Sequence, residues 1–185
     1  ELKNNWILLF SASIGVICSS IVLPFYSLGA LVVPITQEFG WSRAEFQLAL
    51  LFSTGAGVVT APLVGIFLDE IGIRKMALLG LFGLGTALSL ASQLNGELWM
   101  LYLVYALMAI LGAGTIPVTW TRAVTNVFSK QRGLALGIML SGTGICAIVI
   151  PQITVFITEE FGWRTAYLVL AALPVGMAAP LVFLF

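Results

Sequence analysis

The chain has 185 residues, of which 60% are hydrophobic and only 9% are charged, and its mean hydropathy is +1.09. Eight basic and eight acidic side chains cannot supply the polar surface of a water-soluble fold of this length, which excludes a soluble domain. The formal net charge is zero, so there is no electrostatic reason to expect nucleic acid as a partner.

Six apolar segments separated by short charged patches predict an all-α integral membrane protein with six transmembrane helices in the lipid bilayer. The predicted spans 1 to 6 cover about residues 6–36, 44–68, 76–94, 98–127, 134–157 and 165–185. The patches are too short to contain a soluble domain, so residues 1–185 are expected to form one bundle of antiparallel neighbours. Because the chain starts without a methionine and stops within an apolar segment, we expect it to be part of a longer protein.

The residue types argue against an enzyme, a metal site and a cofactor. The chain has no histidine, which removes a common metal ligand and the base of Ser–His and Cys–His catalytic pairs. Asp69 is the only aspartate, whereas an intramembrane aspartyl protease needs two, and no nucleotide-binding loop is present. Cys18 and Cys146 lie in apolar segments, where we expect them to be packing residues.

The distribution of basic residues predicts the orientation. If the N-terminus is cytoplasmic, five basic residues lie at the cytoplasmic end, and only Arg43 and Arg164 lie at the other end. The five are Lys3, Arg74, Lys75, Lys130 and Arg132. The positive-inside rule therefore predicts a multi-pass protein of the cell membrane with a cytoplasmic N-terminus.

Two turns are nearly identical in sequence, "ITQEFGWSRA" at 35–44 and "ITEEFGWRTA" at 157–166. They follow spans 1 and 5, which are not equivalent in a three-plus-three duplication, so we interpret them as similar helix ends. The glycine of each turn is expected to end a helix, and Trp41 and Trp163 are expected at the level of the lipid headgroups. Ser42 and Glu45 form a capping-box pattern at the start of span 2.

Two prolines, Pro24 and Pro117, lie well inside spans 1 and 4. Each is expected to interrupt its helix and to free the carbonyl four residues earlier, at Ser20 and Ala113. Spans 1 and 4 are equivalent in a three-plus-three repeat, and interrupted helices at equivalent positions are typical of a transporter's binding site. The alternative is that both prolines only kink their helices for packing.

Three polar residues next to prolines are candidates for binding a substrate: Tyr26, Thr115 and Gln152. Small residues at four-residue spacing in span 5, Gly133, Gly137 and Ser141, predict a flat face that a neighbouring backbone can approach closely. Similar faces are predicted by Gly80, Gly83 and Gly85 in span 3 and by Gly112 and Gly114 in span 4.

Arg122 is the one charged residue well inside a span. It lies about 10 Å from the end of span 4, so its side chain could extend to the membrane surface. Alternatively, it pairs with Asp69 at the end of span 2 or attracts an anionic substrate.

The stretch "GIFLDEIGIRK", residues 65–75, resembles the signature loop between helices two and three of the major facilitator superfamily. The matching positions are Gly65, Asp69, Gly72, Arg74 and Lys75. Glu70 replaces the usual basic residue, and Met108 replaces the helix-four arginine of another family signature. The stretches "FSKQRGLALGIMLSGTG" at 128–144 and "YSLGALVVPITQEFGWSRA" at 26–44 are similar to those of monocarboxylate transporters and oxalate:formate antiporters.

This resemblance implies the N-terminal six-helix half of a twelve-helix carrier, with a three-plus-three repeat and alternating access to a substrate bound between two halves. It implies a conformational charge network in which Asp69 faces the C-terminal half and Arg74 orients it, with Arg122 as a further member. The expected function is secondary transport of a small organic anion, a monocarboxylate, by proton coupling or exchange. The alternatives are a carrier of another solute, such as a sugar or a drug, and a six-helix module that dimerises.

Overall fold

The computed structural model describes residues 1–2 and 5–184, so Lys3 and the last residue of span 6 lie outside the described residues. The helices are α1 Trp6–Ile17, α2 Val22–Phe39, α3 Arg43–Ile71, α4 Ile73–Ala91, α5 Leu98–Leu111, α6 Pro117–Val127, α7 Arg132–Phe161, α8 Trp163–Leu173 and α9 Ala179–Val182. A 3-10 turn at Ala113–Thr115 joins α5 to α6, and a π-helical turn at Pro174–Ala178 joins α8 to α9.

The predicted all-α fold is confirmed, and its six helical spans follow the predicted order. Span 1 is formed by α1 and α2, span 4 by α5 and α6, and span 6 by α8 and α9, whereas α3, α4 and α7 each form one span. Within the described ranges, five spans are long and apolar enough to cross a membrane as helices, and span 4 is divided into two shorter helices. The chain is therefore a multi-pass membrane protein.

Several helices extend beyond the predicted spans, because a charged residue marks the edge of the apolar segment and not the end of the helix. Helix α3 includes Asp69 and ends at Gly72, whose φ of 83° is left-handed. Gly40 and Gly162 end α2 and α7 with φ of 70° and 86°, as predicted. The predicted capping box is confirmed, since the Glu45 N–H donates to the Ser42 hydroxyl over 3.1 Å and the Ser42 N–H donates to the Glu45 carboxylate.

The buried side chains form two main layers, one at each end of the bundle. The Trp163 end contains the turns after α2 and α7, and its layer includes Leu31, Leu88 and Tyr167. The Asp69 end contains the turn after α3, and its layer includes Val16, Trp120 and Met139. The interruptions of spans 1 and 4 lie where these two layers meet, because α1 and α6 contribute to the second layer while α2 and α5 contribute to the first.

Helix α4 approaches the interruption of span 4 very closely. A Cβ atom added to Gly80 would lie 2.7 Å from the Cα atom of Gly114, and one added to Gly114 would lie 3.2 Å from the Cα atom of Gly80. The close contact predicted for the glycine-containing faces of spans 3 and 4 is therefore found, because the absence of side chains lets the two backbones touch.

The small face predicted in span 5 is a different case. Cβ atoms added to Gly133 or Gly137 would have no heavy atom of the described chain within 4 Å, and Ser141 is exposed. The expectation of a close neighbour there is wrong within this bundle, because α7 turns another face inward. On that face, a Cβ atom at Gly142 would lie 2.9 Å from the carbonyl oxygen of Ser13 in α1.

Trp163 is buried inside the bundle. Its expected position at the level of the lipid headgroups stays a prediction. The side chain is only 4% exposed, and its indole N–H donates to a carboxylate oxygen of Glu38 over 2.6 Å. The ring of Phe39 packs against it with centroids 5.9 Å apart. Trp163 is therefore a structural contact that holds α8 against the end of α2.

We predict that Gly80→Ala destabilises the protein by about 1–3 kcal/mol, because the added methyl group must displace the backbone at Gly114. The control is Gly55→Ala in α3, where a Cβ atom meets no neighbour in the described structure and the substitution should be stabilising by about 0.5–1 kcal/mol. Thermal unfolding of the purified full-length protein in detergent measures both. Equal melting temperatures for the two variants would contradict the close packing of α4.

Candidate functional site

The interruption of span 1 occupies residues 18–21, between α1 and α2. The Ser19 hydroxyl accepts the backbone N–H of Val22 over 3.1 Å, and the Ser19 carbonyl accepts that of Leu23 over 3.0 Å. Pro24 follows in the first turn of α2, where a helix tolerates the loss of an N–H. The chain thus ends one helix and begins another before the proline, with the serine supplying the cap.

The interruption of span 4 has a similar construction. Pro117 is the first residue of α6, and Ile116 before it has an extended backbone with ψ of 154°. The Thr115 hydroxyl donates to the Gly112 carbonyl over 2.7 Å, and the Trp120 indole N–H donates to the Thr115 carbonyl over 2.8 Å. Side chains therefore satisfy backbone groups that the interruption frees.

The two interruptions are joined by a hydrogen bond. The backbone N–H of Ser20 donates to the Thr115 hydroxyl over 2.9 Å, and Thr115 is completely buried. Gly15 in α1 leaves room for the Trp120 ring that packs against it. Thr115 was predicted as a substrate-binding residue. Its hydroxyl is instead hydrogen-bonded to Ser20 and Gly112, so it joins the two interruptions.

A cleft of about 290 Å³ lies beside the interruptions, between span 1, α3 and span 4. Its walls are mostly apolar, and they include Ile21, Phe25, Leu50, Val58 and Ile116. Hydroxyl groups come from Ser20, Ser53, Thr54 and Thr60, of which the Thr60 hydroxyl donates to its own helix at Ala56 over 3.0 Å. Among the described residues, no charged side chain lines the cleft.

Sequence reasoning found only part of this cleft. Pro24 lines it, but Tyr26 is half-buried against the neighbouring ring of Phe25, with centroids 5.4 Å apart, and is not among the lining residues. Gln152 is exposed on α7 and is not a lining residue either. The contribution of α3 was missed. The signal that could have indicated it is the stretch "STGAG" at 53–57, five small or hydroxyl-bearing residues inside an apolar helix.

A charge pair lies at the Asp69 end, between α3 and α6. The Arg122 Nη1 atom is 2.6 Å from the Asp69 Oδ1 atom, and the two side chains are 41% and 72% exposed. The pairing alternative for Arg122 is therefore the geometry observed. Because Asp69 is largely exposed, one of its carboxylate oxygens stays accessible to a further partner.

The expected role of Arg74 in orienting Asp69 does not match its position. Its guanidinium donates to the carbonyl of Phe183 over 2.6 Å and lies 5.6 Å from the centre of that ring, which ties α4 to the end of span 6. Gly65 has open space around it, whereas Gly72 makes the left-handed turn between α3 and α4. Glu70, where the loop departs from the family signature, is exposed and forms no ion pair with the described residues.

The first residue lies at the same end of the bundle as the loop before α7. The backbone N–H groups of Gln131 and Lys130 donate to the Glu1 carboxylate, over 3.1 Å in the case of Gln131. These hydrogen bonds lower the pKa of Glu1 below its usual value. The carboxylate is therefore charged at neutral pH and holds the beginning of the chain against the start of α7.

A second charge pair, which sequence reasoning missed, lies at the Trp163 end. The Arg164 Nη1 atom is 2.8 Å from the Glu38 Oε1 atom, and another nitrogen of the same guanidinium donates to the Leu94 carbonyl over 3.3 Å. The guanidinium also lies 4.1 Å from the centre of the Trp163 ring. The pair thus joins three spans at the end opposite to Asp69.

We predict that Thr115→Val destabilises the protein by about 1–3 kcal/mol, because the buried Ser20 N–H loses its acceptor. Thr115→Ser keeps the hydroxyl and should recover most of the loss. Thermal unfolding of the full-length protein in detergent distinguishes the two. A valine variant as stable as the serine variant would show that the hydrogen bond between the interruptions contributes nothing.

Comparison with known proteins identifies the family. The family model of the Major Facilitator Superfamily matches residues 6–185. Similar curated proteins include human monocarboxylate transporter 14, which is 28% identical over 82% of this chain and 29% of its own length. The riboflavin transporter RibJ of Trypanosoma brucei brucei is 28% identical over 68% of this chain and 23% of its own length. The multidrug resistance protein MdtG of Klebsiella pneumoniae is 28% identical over 83% of this chain and 36% of its own length. The chain spans about a third or less of the length of these relatives, and it belongs to the major facilitator superfamily.

Proposed function

We propose that the chain forms one half of a secondary active transporter that moves a small organic anion, a monocarboxylate, by alternating access. The observation that carries this proposal is the cleft at the interruptions of spans 1 and 4. Both proton coupling and exchange are compatible with this proposal. We assign no carboxylate of this bundle as a proton carrier.

Two helix N-termini favour an anion at this cleft. The residues that immediately precede α2 and α6, Ile21 and Ile116, both line it. The N-terminus of a helix carries a partial positive charge, and discontinuous helices in transporters direct such ends at anionic substrate groups.

The opposite helix ends do not cancel this effect, because their carbonyls face protein groups. The Ile17 carbonyl at the end of α1 is 3.8 Å from the Cys146 sulfur atom. The Gly112 carbonyl after α5 accepts both the hydroxyl and the backbone N–H of Thr115. The cleft therefore lies at the positive ends of two helix dipoles, whose first backbone N–H groups are already paired with Ser19 and Ile116.

The cleft needs a second bundle to bind a carboxylate tightly. Desolvating an anion without a cationic partner is expensive, and no charged side chain of the described residues lines the cleft. The curated relatives are about three times as long as the matched segment. We propose that a second six-helix bundle closes over the cleft and supplies the cation.

The Asp69 end would then hold one of the alternating conformations. The carboxylate of Asp69 is fixed by Arg122 but remains largely exposed, so it can also bind a donor on the second bundle. The bundle would lie in the cell membrane with its N-terminus in the cytoplasm. Its first residue and the basic loop at Lys130 share one end, which is the end that the positive-inside rule places inside.

A carrier of a different small solute is the second candidate. The uncharged lining of the cleft favours it, and the relatives include proteins named for riboflavin transport and for multidrug resistance. A neutral or larger solute would use the same apolar walls without a cationic partner.

The test is uptake by the full-length carrier in proteoliposomes. We expect uptake of a labelled monocarboxylate such as lactate, stimulated either by an inward proton gradient or by an unlabelled carboxylate inside. Uptake of a sugar or a drug with none of any carboxylate would overturn the anion assignment and favour the second candidate.

We also predict that Asp69→Asn leaves membrane insertion intact but shifts the balance between conformations. The neutral amide can still accept a hydrogen bond from Arg122, but it loses the ion pair and weakens any contact with the second bundle. Labelling of single cysteines from each side of the membrane measures the shift. The control is Glu70→Gln, the neighbouring exposed residue that has no ion pair in the described chain. Identical labelling of the two variants would contradict a role of Asp69 in the balance between conformations and would leave it only a role in membrane topology.

A further inference from the structure

We propose that the cleft receives the uncharged tail of the substrate and that Gly57 limits the size of the tail that the carrier accepts. This inference rests on the proposed function and deepens it. It assigns to the α3 side of the cleft the recognition of the part of the substrate that carries no charge, and it assigns the carboxylate to the helix ends at Ile21 and Ile116 and to the second bundle.

The chemistry of the walls supports an apolar occupant. Leu50, Val58 and Ile116 provide aliphatic surface, and Phe25 provides an aromatic ring. The hydroxyls of Ser53 and Thr54 are polar groups that could contact a tail with one oxygen atom. A second carboxylate would be desolvated here without a cation in the described lining, so the cleft selects against dicarboxylates.

The volume indicates the size of the group that the walls of this bundle can surround. About 290 Å³ is at the lower end of the range of small-molecule sites, about 300–1,000 Å³. A short aliphatic chain or a single ring fits such a space, whereas a large multi-ring ligand would have to extend beyond it.

Gly57 is the position at which this space is most easily changed. It lies on α3 among the lining residues, and a Cβ atom added to it has no neighbour of the described chain within 4 Å. A larger side chain at this position would therefore enter the cleft without displacing the packed helices. Ala61, one turn further along α3, and Ala109 on α5 are also small and line the cleft.

The same helix offers a matched control. Gly55, two residues earlier, also has open space around a Cβ atom, but it lies in a different groove with Leu51 and Ala106. A leucine at Gly55 has the same effect on helix propensity as a leucine at Gly57 and leaves the cleft unchanged.

The experiment uses the full-length carrier in proteoliposomes and competition against uptake of a labelled monocarboxylate. The competitors are straight-chain acids from acetate to hexanoate, together with benzoate. For Gly57→Leu we expect hexanoate and benzoate to lose at least about tenfold more potency than acetate, because each methylene group in an apolar pocket contributes about tenfold or more. Gly55→Leu should keep the wild-type ratio.

Three outcomes would overturn the inference. One is a Gly57→Leu variant in which acetate and hexanoate lose potency as competitors to the same extent. Another is a Gly55→Leu variant in which hexanoate loses as much potency relative to acetate as it is expected to lose in Gly57→Leu. The third concerns the wild-type carrier. Glutarate has the same five carbons as pentanoate but a second carboxylate that the cleft should exclude, so equal competition by the two acids would contradict the inference. If Gly57→Leu does not reach the membrane, Gly57→Ala must show a smaller change of the same direction, and an unchanged ratio overturns the inference.

The failure of the proposed function gives a different result. A wild-type carrier that takes up no monocarboxylate refutes the anion assignment and this inference together. A wild-type carrier that takes up monocarboxylates, with variants whose chain-length dependence is unchanged, refutes only the role of the cleft and Gly57.

Discussion

The hydrogen bond from the Ser20 backbone N–H to the Thr115 hydroxyl is the constraint on which the centre of this bundle depends. Interrupting a membrane helix exposes backbone groups that the lipid cannot satisfy, and each unsatisfied group is costly. Here two interruptions lie side by side, and a side chain of one accepts the freed N–H of the other. The interruption of span 1 would be less stable alone, because Thr115 of span 4 accepts the N–H group that it frees.

The position of this bond explains the arrangement of the rest of the bundle. Glycines at 80, 112 and 114 let α4 and span 4 approach at the level of the interruptions, where side chains would push them apart. Above and below that level, large side chains such as Tyr167 and Trp120 fill the two apolar layers. Helix α4 packs against one side of the interruptions, and the cleft lies on a side that α4 does not cover. The interruptions therefore border both the closest helix contact and the cleft.

Much of the fold could be predicted from the sequence because it depends on local signals. Apolar length gave the spans, glycine gave the ends of α2 and α7, and Ser42 with Glu45 gave the cap of α3. Proline alone did not locate the interruptions, since Pro34, Pro62 and Pro151 lie within helices that continue through them. Small and hydroxyl residues before the proline, as in "CSSIVLP" and "GAGTIP", offer the backbone other partners. They did not locate the interruptions either, since "STGAGVVTAP" at 53–62 lies within the continuous helix α3.

The features that the sequence could not provide are those that depend on which helix faces meet. The spacing of Gly133 and Gly137 predicts a contact face, but not whether the partner lies inside this bundle. Charge alone could not tell that Arg74 reaches Phe183 while Arg122 reaches Asp69, since both arginines lie near the same end. The wall that α3 gives the cleft was missed for the same reason, because small residues in an apolar helix indicate either packing or space.

The division of span 4 makes α6 a short separate helix between the interruption and the Asp69 end of the bundle. It has 11 residues and begins directly after the extended backbone of Ile116, and Arg122 lies six residues beyond Ile116. If α6 rotated as a rigid helix by about 10° at Ile116, the Arg122 backbone would move by about 1.6 Å, given a rise of about 1.5 Å per residue. That displacement is comparable to the difference between a 2.6 Å charge-assisted hydrogen bond and a broken one. Ile116 also lines the cleft, so α6 places the wall of the cleft and the partner of Asp69 within six residues of each other.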